Sequence, residues 1–282
     1  MNPSDSVISH RAVVEIRPPG GWSALNLREI YDYRDLLFLL ARRDISARYK
    51  HTLIGAAWAV LQPLSTMVIF SVFFGHLLQV PSEGAPYPLF SYAALLAWQL
   101  FAGALSQAST SILAEHGLIS YVYFPRMVVP LAAVMLALVD FAAALLVLIP
   151  LLLYYGFVPG WTIAALPFMV VLTVFAATGV GLWLSALTVK YRDFQYTVPF
   201  LLQAWLFITP VVYPAALVPA KWQALYALNP MVGAVEGFRW ALLGNGEPPL
   251  AALATATIVV GVLLVSGAVF FRQTEHLFAD MV

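Results

Sequence analysis

Residues 42–78 read RRDISARYKHTLIGAAWAVLQPLSTMVIFSVFFGHLL. Five cationic or protonatable side chains, Arg42, Arg43, Arg48, Lys50 and His51, fall within ten residues. Seven residues after His51 begins a run, Trp58 to Leu78, whose sole titratable group is His76. A helix that crosses a bilayer needs about 20 mostly apolar residues, and cationic side chains gather on the cytoplasmic side of such helices. This junction reads as the cytoplasmic entrance to a first membrane span.

The same pattern recurs along the chain. Apolar residues make up 62% and charged residues 10%, where an average soluble domain is about a quarter charged. Too little polar surface is available to cover a soluble globule of 282 residues. Six candidate spans follow, at approximately 58–79, 89–114, 128–155, 163–188, 195–213 and 250–271. The third carries Asp140, and Arg272 marks the end of the sixth. YGFVPGW separates the third from the fourth. Twelve Lys/Arg lie on the side of the N-terminus and two on the other, which places both termini in the cytoplasm. The expected fold is an all-α integral membrane protein. It has a polar lead-in over 1–29, an amphipathic interface helix and basic linker over 30–57, and a six-span membrane domain over 58–282.

The interface helix is read from apolar residues at 30, 33, 36, 37, 40 and 47, which share one helical face. Its basic end faces anionic headgroups; a topology signal with no other role would look the same. Outer segment 214–249 is too long for a turn and too apolar for a solvated loop. Asn229 suits a helix N-cap and Pro230 the first turn after it, and Glu236 and Arg239 lie three apart. At about 1.5 Å per residue, 230–243 rises about 21 Å, short of the ~30 Å apolar layer. A re-entrant or interfacial helix pair fits, as an outer gate over a path; a surface hairpin is the alternative. The cytoplasmic connection 115–126 concentrates Tyr121, Tyr123, Phe124 and Arg126, which fits either a docking surface or aromatic anchors at the span ends. Asp140 reads as a packing or hydrogen-bonding group, being without an intramembrane cation in the sequence. Gly179 and Gly181 read as helix-packing positions.

Catalytic patterns are missing. No phosphate-binding Gly-Lys-Ser/Thr is found, no metal-ligand spacing, and no cysteine. Catalytic and metal residues are therefore expected to be none, and no nucleic-acid partner is expected.

With these residues in view, LLFLLARRDISARYKHTLIGAAWAVLQPL (36–64) resembles the N-terminal signature of ABC-2-type polysaccharide export permeases. LISYVYFPR (118–126) resembles that family's first cytoplasmic loop, VKYRDFQYTVP (189–199) its second, and LNPMVGAVEGFRWALLG (228–244) its outer loop. The resemblance covers roughly 30–271 and leaves out 1–25. It implies a homodimer of transport subunits in the bacterial inner membrane, with two copies of a separate ATPase that bind ATP and Mg. This chain would hold no cofactor itself. The implied cargo is a polyprenyl-linked polysaccharide such as O antigen, capsule or a teichoic acid precursor. Arg42, Arg43, Arg48 and Lys50 would attract its phosphate. Tyr121, Tyr123, Phe124 and Arg126 would couple to the ATPase. The first and fifth spans would form the path at the dimer seam, past Phe70, Phe73, Phe74, Trp205 and Phe207, with Asn229, Pro230, Glu236 and Arg239 at the outer gate. Alternative readings are an exporter of small molecules or lipids, and a membrane enzyme acting on polyprenyl phosphate.

Overall fold

The computed structural model describes residues 27–50, 55–244, 246–275 and 278. The lead-in through Asn26 and the linker at 51–54, with His51, lie outside them. Among the described residues all regular structure is helical. α1 (Leu27–Asp32) and α2 (Arg34–Lys50) precede α3 (Gly55–Phe70), which continues through a wider-wound turn, Ser71–Leu77. Then come α4 (Tyr87–Ala114), α5 (His116–Tyr121), α6 (Val128–Tyr154), α7 (Leu166–Lys190), α8 (Phe194–Ile208), α9 (Ala220–Ala227), α10 (Pro230–Leu243) and α11 (Leu250–Thr274).

Five helical segments are long and apolar enough to cross a membrane: Ala57–Leu77, Tyr87–Ala114, Val128–Tyr154, Trp161–Lys190 and Leu250–Thr274. The expected fifth span, 195–213, differs. α8 is 15 residues long and stops at Thr209, whose backbone turns extended ahead of Pro210. A residue before proline is driven out of the helical region, so the chain leaves the helix there and 209–213 is irregular. At about 1.5 Å per residue α8 rises about 22 Å.

α4 is the axis of the fold, packed by α3, α6, α7 and α10. In its most apolar stretch 78% of residues are buried, against 17% for the α3 segment. Lipid tails are as apolar as leucine, so helices in a bilayer associate through close packing and small residues. The glycines act in this way. A Cβ at Gly179 would lie 2.8 Å from the Leu263 backbone of α11, and one at Gly181 2.9 Å from Ala108 of α4.

Segment 214–249 holds two helices, α9 and α10, that meet at Leu228-Asn229. Twelve of the fourteen α10 residues are buried, against α4, α7 and α11. α10 is thus part of the core. Gly244 ends it in the left-handed region, φ 65°, where glycine has no steric penalty.

α2 packs along α6. Ile30, Tyr33, Leu36, Leu37 and Leu40 face a cluster that includes Ile119, Phe124, Met127 and Val128. The helical spacing read from the sequence is the packed face, except that Ala47 is exposed. The helix extends further back than the expected boundary at residue 30, because α1 begins at Leu27.

Candidate functional site

The basic end of α2 divides into two parts. Arg43 donates to Glu115 at the end of α4, and its guanidinium also lies 2.7 Å from the Asp44 carboxylate. The Glu115 hydrogen bond, ahead of the Asp44 contact, raises the Arg43 pKa above its usual value. Arg48 Nη1 lies 3.1 Å from Asp140 Oδ2, and the Tyr49 hydroxyl donates to Asp140 Oδ1. Burial first, and Asp140 second, push the Tyr49 hydroxyl up to about 12. Asp140 sits twelve residues into α6, so the end of α2 reaches a carboxylate well inside the span. The reading of Asp140 as a hydrogen-bonding group fits this geometry, with its cation supplied from outside the spans. That cation is carried by α2, which precedes α3 in the chain. Arg42 and Lys50 are exposed.

In the 115–126 connection, α5 carries Tyr121 to an exposed tip, 89% accessible, and Tyr123 is 62% accessible. Phe124 is 4% accessible and lies in the cluster beneath α2. Arg126 Nη1 donates to the Glu275 carbonyl oxygen, and its guanidinium lies 6.0 Å from the Phe278 ring. Arg272 bonds both Glu29 and Glu275 at 3.0 Å. Burial raises the Glu275 carboxyl pKa. The two tyrosines are presented outward, while Phe124 and Arg126 fasten the connection to the protein. The Glu29–Arg272–Glu275 network is not legible in the sequence, where Arg272 marks a span end and adds to the charge asymmetry.

The five aromatics assigned to a path do not form one surface. Phe70 is buried and meets Phe74 edge-on at 5.7 Å. Trp205 packs edge-on to Phe101 at 5.0 Å, and its Nε1 donates to Asn229 Oδ1 at 2.9 Å. Phe73 and Phe207 are exposed.

Asn229 caps α10. Its Oδ1 also accepts from Met231 N, and its Nδ2 donates to Thr209 Oγ1 at 3.1 Å. Pro230 occupies the first helical position, where its missing N–H leaves nothing unsatisfied. Arg239 is 5% accessible, stacks 3.6 Å over the Phe90 ring, and donates to the carbonyls of Val211, Tyr213 and Phe90. It ties the chain after α8 to α10 and α4. Glu236 and Arg239 line a cavity of about 360 Å³ together with Ser82, Glu83, Trp240 and Glu247.

A second cavity, of about 370 Å³, opens between α3, α4 and α6. Gln62, Thr66, Gln99, Ser106, Gln107 and Asp140 contribute its polar wall, with Arg48 beside Asp140. The charge pattern of the sequence does not reveal it, because amides and hydroxyls inside an apolar run do not break the run. The available signal was the spacing of Gln99, Gly103, Ser106 and Gln107, which places them on one side of α4. No group of three or more His, Cys, Asp or Glu among the described residues is placed to hold a metal.

Several known proteins are similar to this chain. An O-antigen export system permease protein, RfbA of Myxococcus xanthus, is 29% identical over 263 residues, covering 91% of this chain and 98% of that protein. The RfbA permease of Klebsiella pneumoniae is 26% identical over 248 residues, 88% of this chain and 95% of its own. The polysialic acid transport protein KpsM of Escherichia coli is 24% identical over 247 residues, 86% and 93%. The pattern that defines ABC-2 type transporters matches residues 35–243, from α2 through the buried helix α10. With the helical spans in place and that match covering most of its length, this multi-pass membrane protein belongs to the ABC-2 type transporter family.

Proposed function

We propose that the chain is the permease subunit of an ATP-driven exporter that moves a lipid-linked polysaccharide across the bacterial inner membrane. The observation that carries this reading is the nearly end-to-end match to permeases named for O-antigen export, supported by the match to a polysialic acid transporter. ATP and Mg would be bound by two copies of a separate ATPase, docked on Tyr121 and Tyr123. Both termini would be cytoplasmic, and α8 would complete six crossings. Two copies of the chain would meet along α3 and α8. Support for that seam comes from exposure: α3 is the least buried long segment, and of α8 only Val198 is buried. Phe73 and Phe207 then face the path, while Phe70, Phe74 and Trp205 support it from behind. Arg42 and Lys50 would meet the lipid phosphate first, since Arg43 and Arg48 are engaged with carboxylates. At the other end the buried α10, with its Asn229, Pro230, Glu236 and Arg239, would frame the exit.

The test is deletion of the chromosomal copy in its host. Surface polysaccharide should disappear and lipid-linked glycan should accumulate inside, with both reversed by a plasmid-borne copy. Unchanged surface polysaccharide in the deletion strain would refute the proposal.

A further inference from the structure

The cavity between α3, α4 and α6 has no assigned role. It is lined by α3, α4 and α6, with Leu206 of α8, and its composition is unusual for a membrane interior. Gln99 sits twelve residues into α4 and Asp140 twelve residues into α6, each about 18 Å along its helix at ~1.5 Å per residue. Among the described residues, the side-chain amides of Gln99 and Gln107 hydrogen-bond no protein group. A polar group without a partner is costly in apolar surroundings, and in a bilayer each such group must be satisfied by something. The two amides project from one side of α4 into the same space as Ser106, with Gln62 and Thr66 opposite on α3.

The chemistry of the wall selects its occupant. An amide donates and accepts, and a hydroxyl does both, so the wall complements groups that do the same. Asp140, which also meets Arg48 and Tyr49, adds a strong acceptor. Trp58 and Trp98 add indole surface, which suits the apolar faces of a sugar ring. The volume is at the small end of ligand sites, which run about 300–1,000 Å³, and suits one or two sugar rings better than a chain. Arg48 stands where the cavity meets the basic end of α2, beside the position a lipid phosphate would take.

We propose that this cavity is a binding site for a neutral polyhydroxyl group joined to a lipid phosphate. Under the export reading above, on which this inference partly rests, the occupant is the phosphate-proximal sugar of the lipid-linked glycan. The glycerol headgroup of phosphatidylglycerol carries the same chemistry and is the second source.

The test measures lipid binding to the full-length protein by native mass spectrometry. Two matched pairs serve as probes: polyprenyl diphosphate with and without a single hexose, and phosphatidylglycerol against phosphatidylmethanol, which has the same charge and no hydroxyl. The wild type should prefer the hydroxylated member of at least one pair by about tenfold. Gln99→Leu and Gln107→Leu should reduce that preference to twofold or less and leave binding of the bare member unchanged. Ser106→Ala with Thr66→Val, a nearly isosteric pair, should lower it in the same direction and serves if a leucine variant fails to fold. Preference within the polyprenyl pair identifies the glycan; preference within the phospholipid pair alone identifies a headgroup site. Absence of both preferences in the wild type, or preferences that persist in the folded variants, overturns the site. If neither polyprenyl lipid binds, the export reading fails, and the phospholipid pair still decides the cavity.

Discussion

Arg48, Tyr49 and Asp140 show what a single intramembrane carboxylate can organise. Asp140 pairs with the Arg48 guanidinium and accepts from the Tyr49 hydroxyl, both on α2, which fastens α2 to α6. Removing the carboxylate leaves Arg48 without that counter-charge. The Arg48 side chain is 44% accessible, so solvent screening discounts the loss well below that of a fully buried pair. Asp140→Ala should destabilise the protein by about 1 kcal/mol, and Arg48→Ala by a similar or smaller amount. The double variant should cost less than the sum, as expected for groups in contact. Thermal unfolding of the four proteins in detergent checks this, and strict additivity would mean the pair is not coupled. In the sequence the intramembrane Asp140 was visible as a candidate, but its partner was not. Arg48 precedes it by 92 positions, and nothing in local spacing brings them together.

The 115–126 connection makes the same point for an element. An aromatic cluster between two spans is legible in the sequence as a special segment. Which aromatics face outward is not, because the α5 turn and the packing under α2 decide it. Tyr121 and Tyr123 point out; Phe124 is inside. Tyr121→Ala with Tyr123→Ala should leave the melting temperature nearly unchanged, within about 0.5 kcal/mol of stability as for exposed sites generally. The same variant should weaken co-purification with the partner ATPase. Phe124→Ala should instead destabilise by about 3 kcal/mol through the cavity it leaves, and its loss of activity would report folding. Co-purification at wild-type levels in the double tyrosine variant would remove this connection from the docking surface. α8 belongs to the same scale. Its apolar run was legible over 195–213, but the extended backbone at Thr209 before Pro210 ends the helix early.

For the molecule as a whole, the charge asymmetry makes a topological prediction. Cysteines introduced singly at Asp193 and Glu247, both exposed, can be labelled in this cysteine-free chain. An impermeant thiol reagent applied to intact cells should label Glu247→Cys and spare Asp193→Cys until the membrane is opened; the reverse pattern would invert the orientation. The membrane class, the helical content and most of the long apolar helices were determined by the sequence alone. An apolar run of about 20 residues in lipid must satisfy its own backbone, and among single continuous segments only a helix does so. Tertiary structure alone decided which polar groups meet: Arg43 with Glu115, Tyr49 with Asp140, Arg239 with the carbonyls around Phe90, and the amides of α4 with one shared cavity. These contacts depend on how far each helix is rotated about its axis and how closely glycine-lined crossings let it approach its neighbours. Small residues set those quantities jointly on several helices, so no single stretch of sequence contains them.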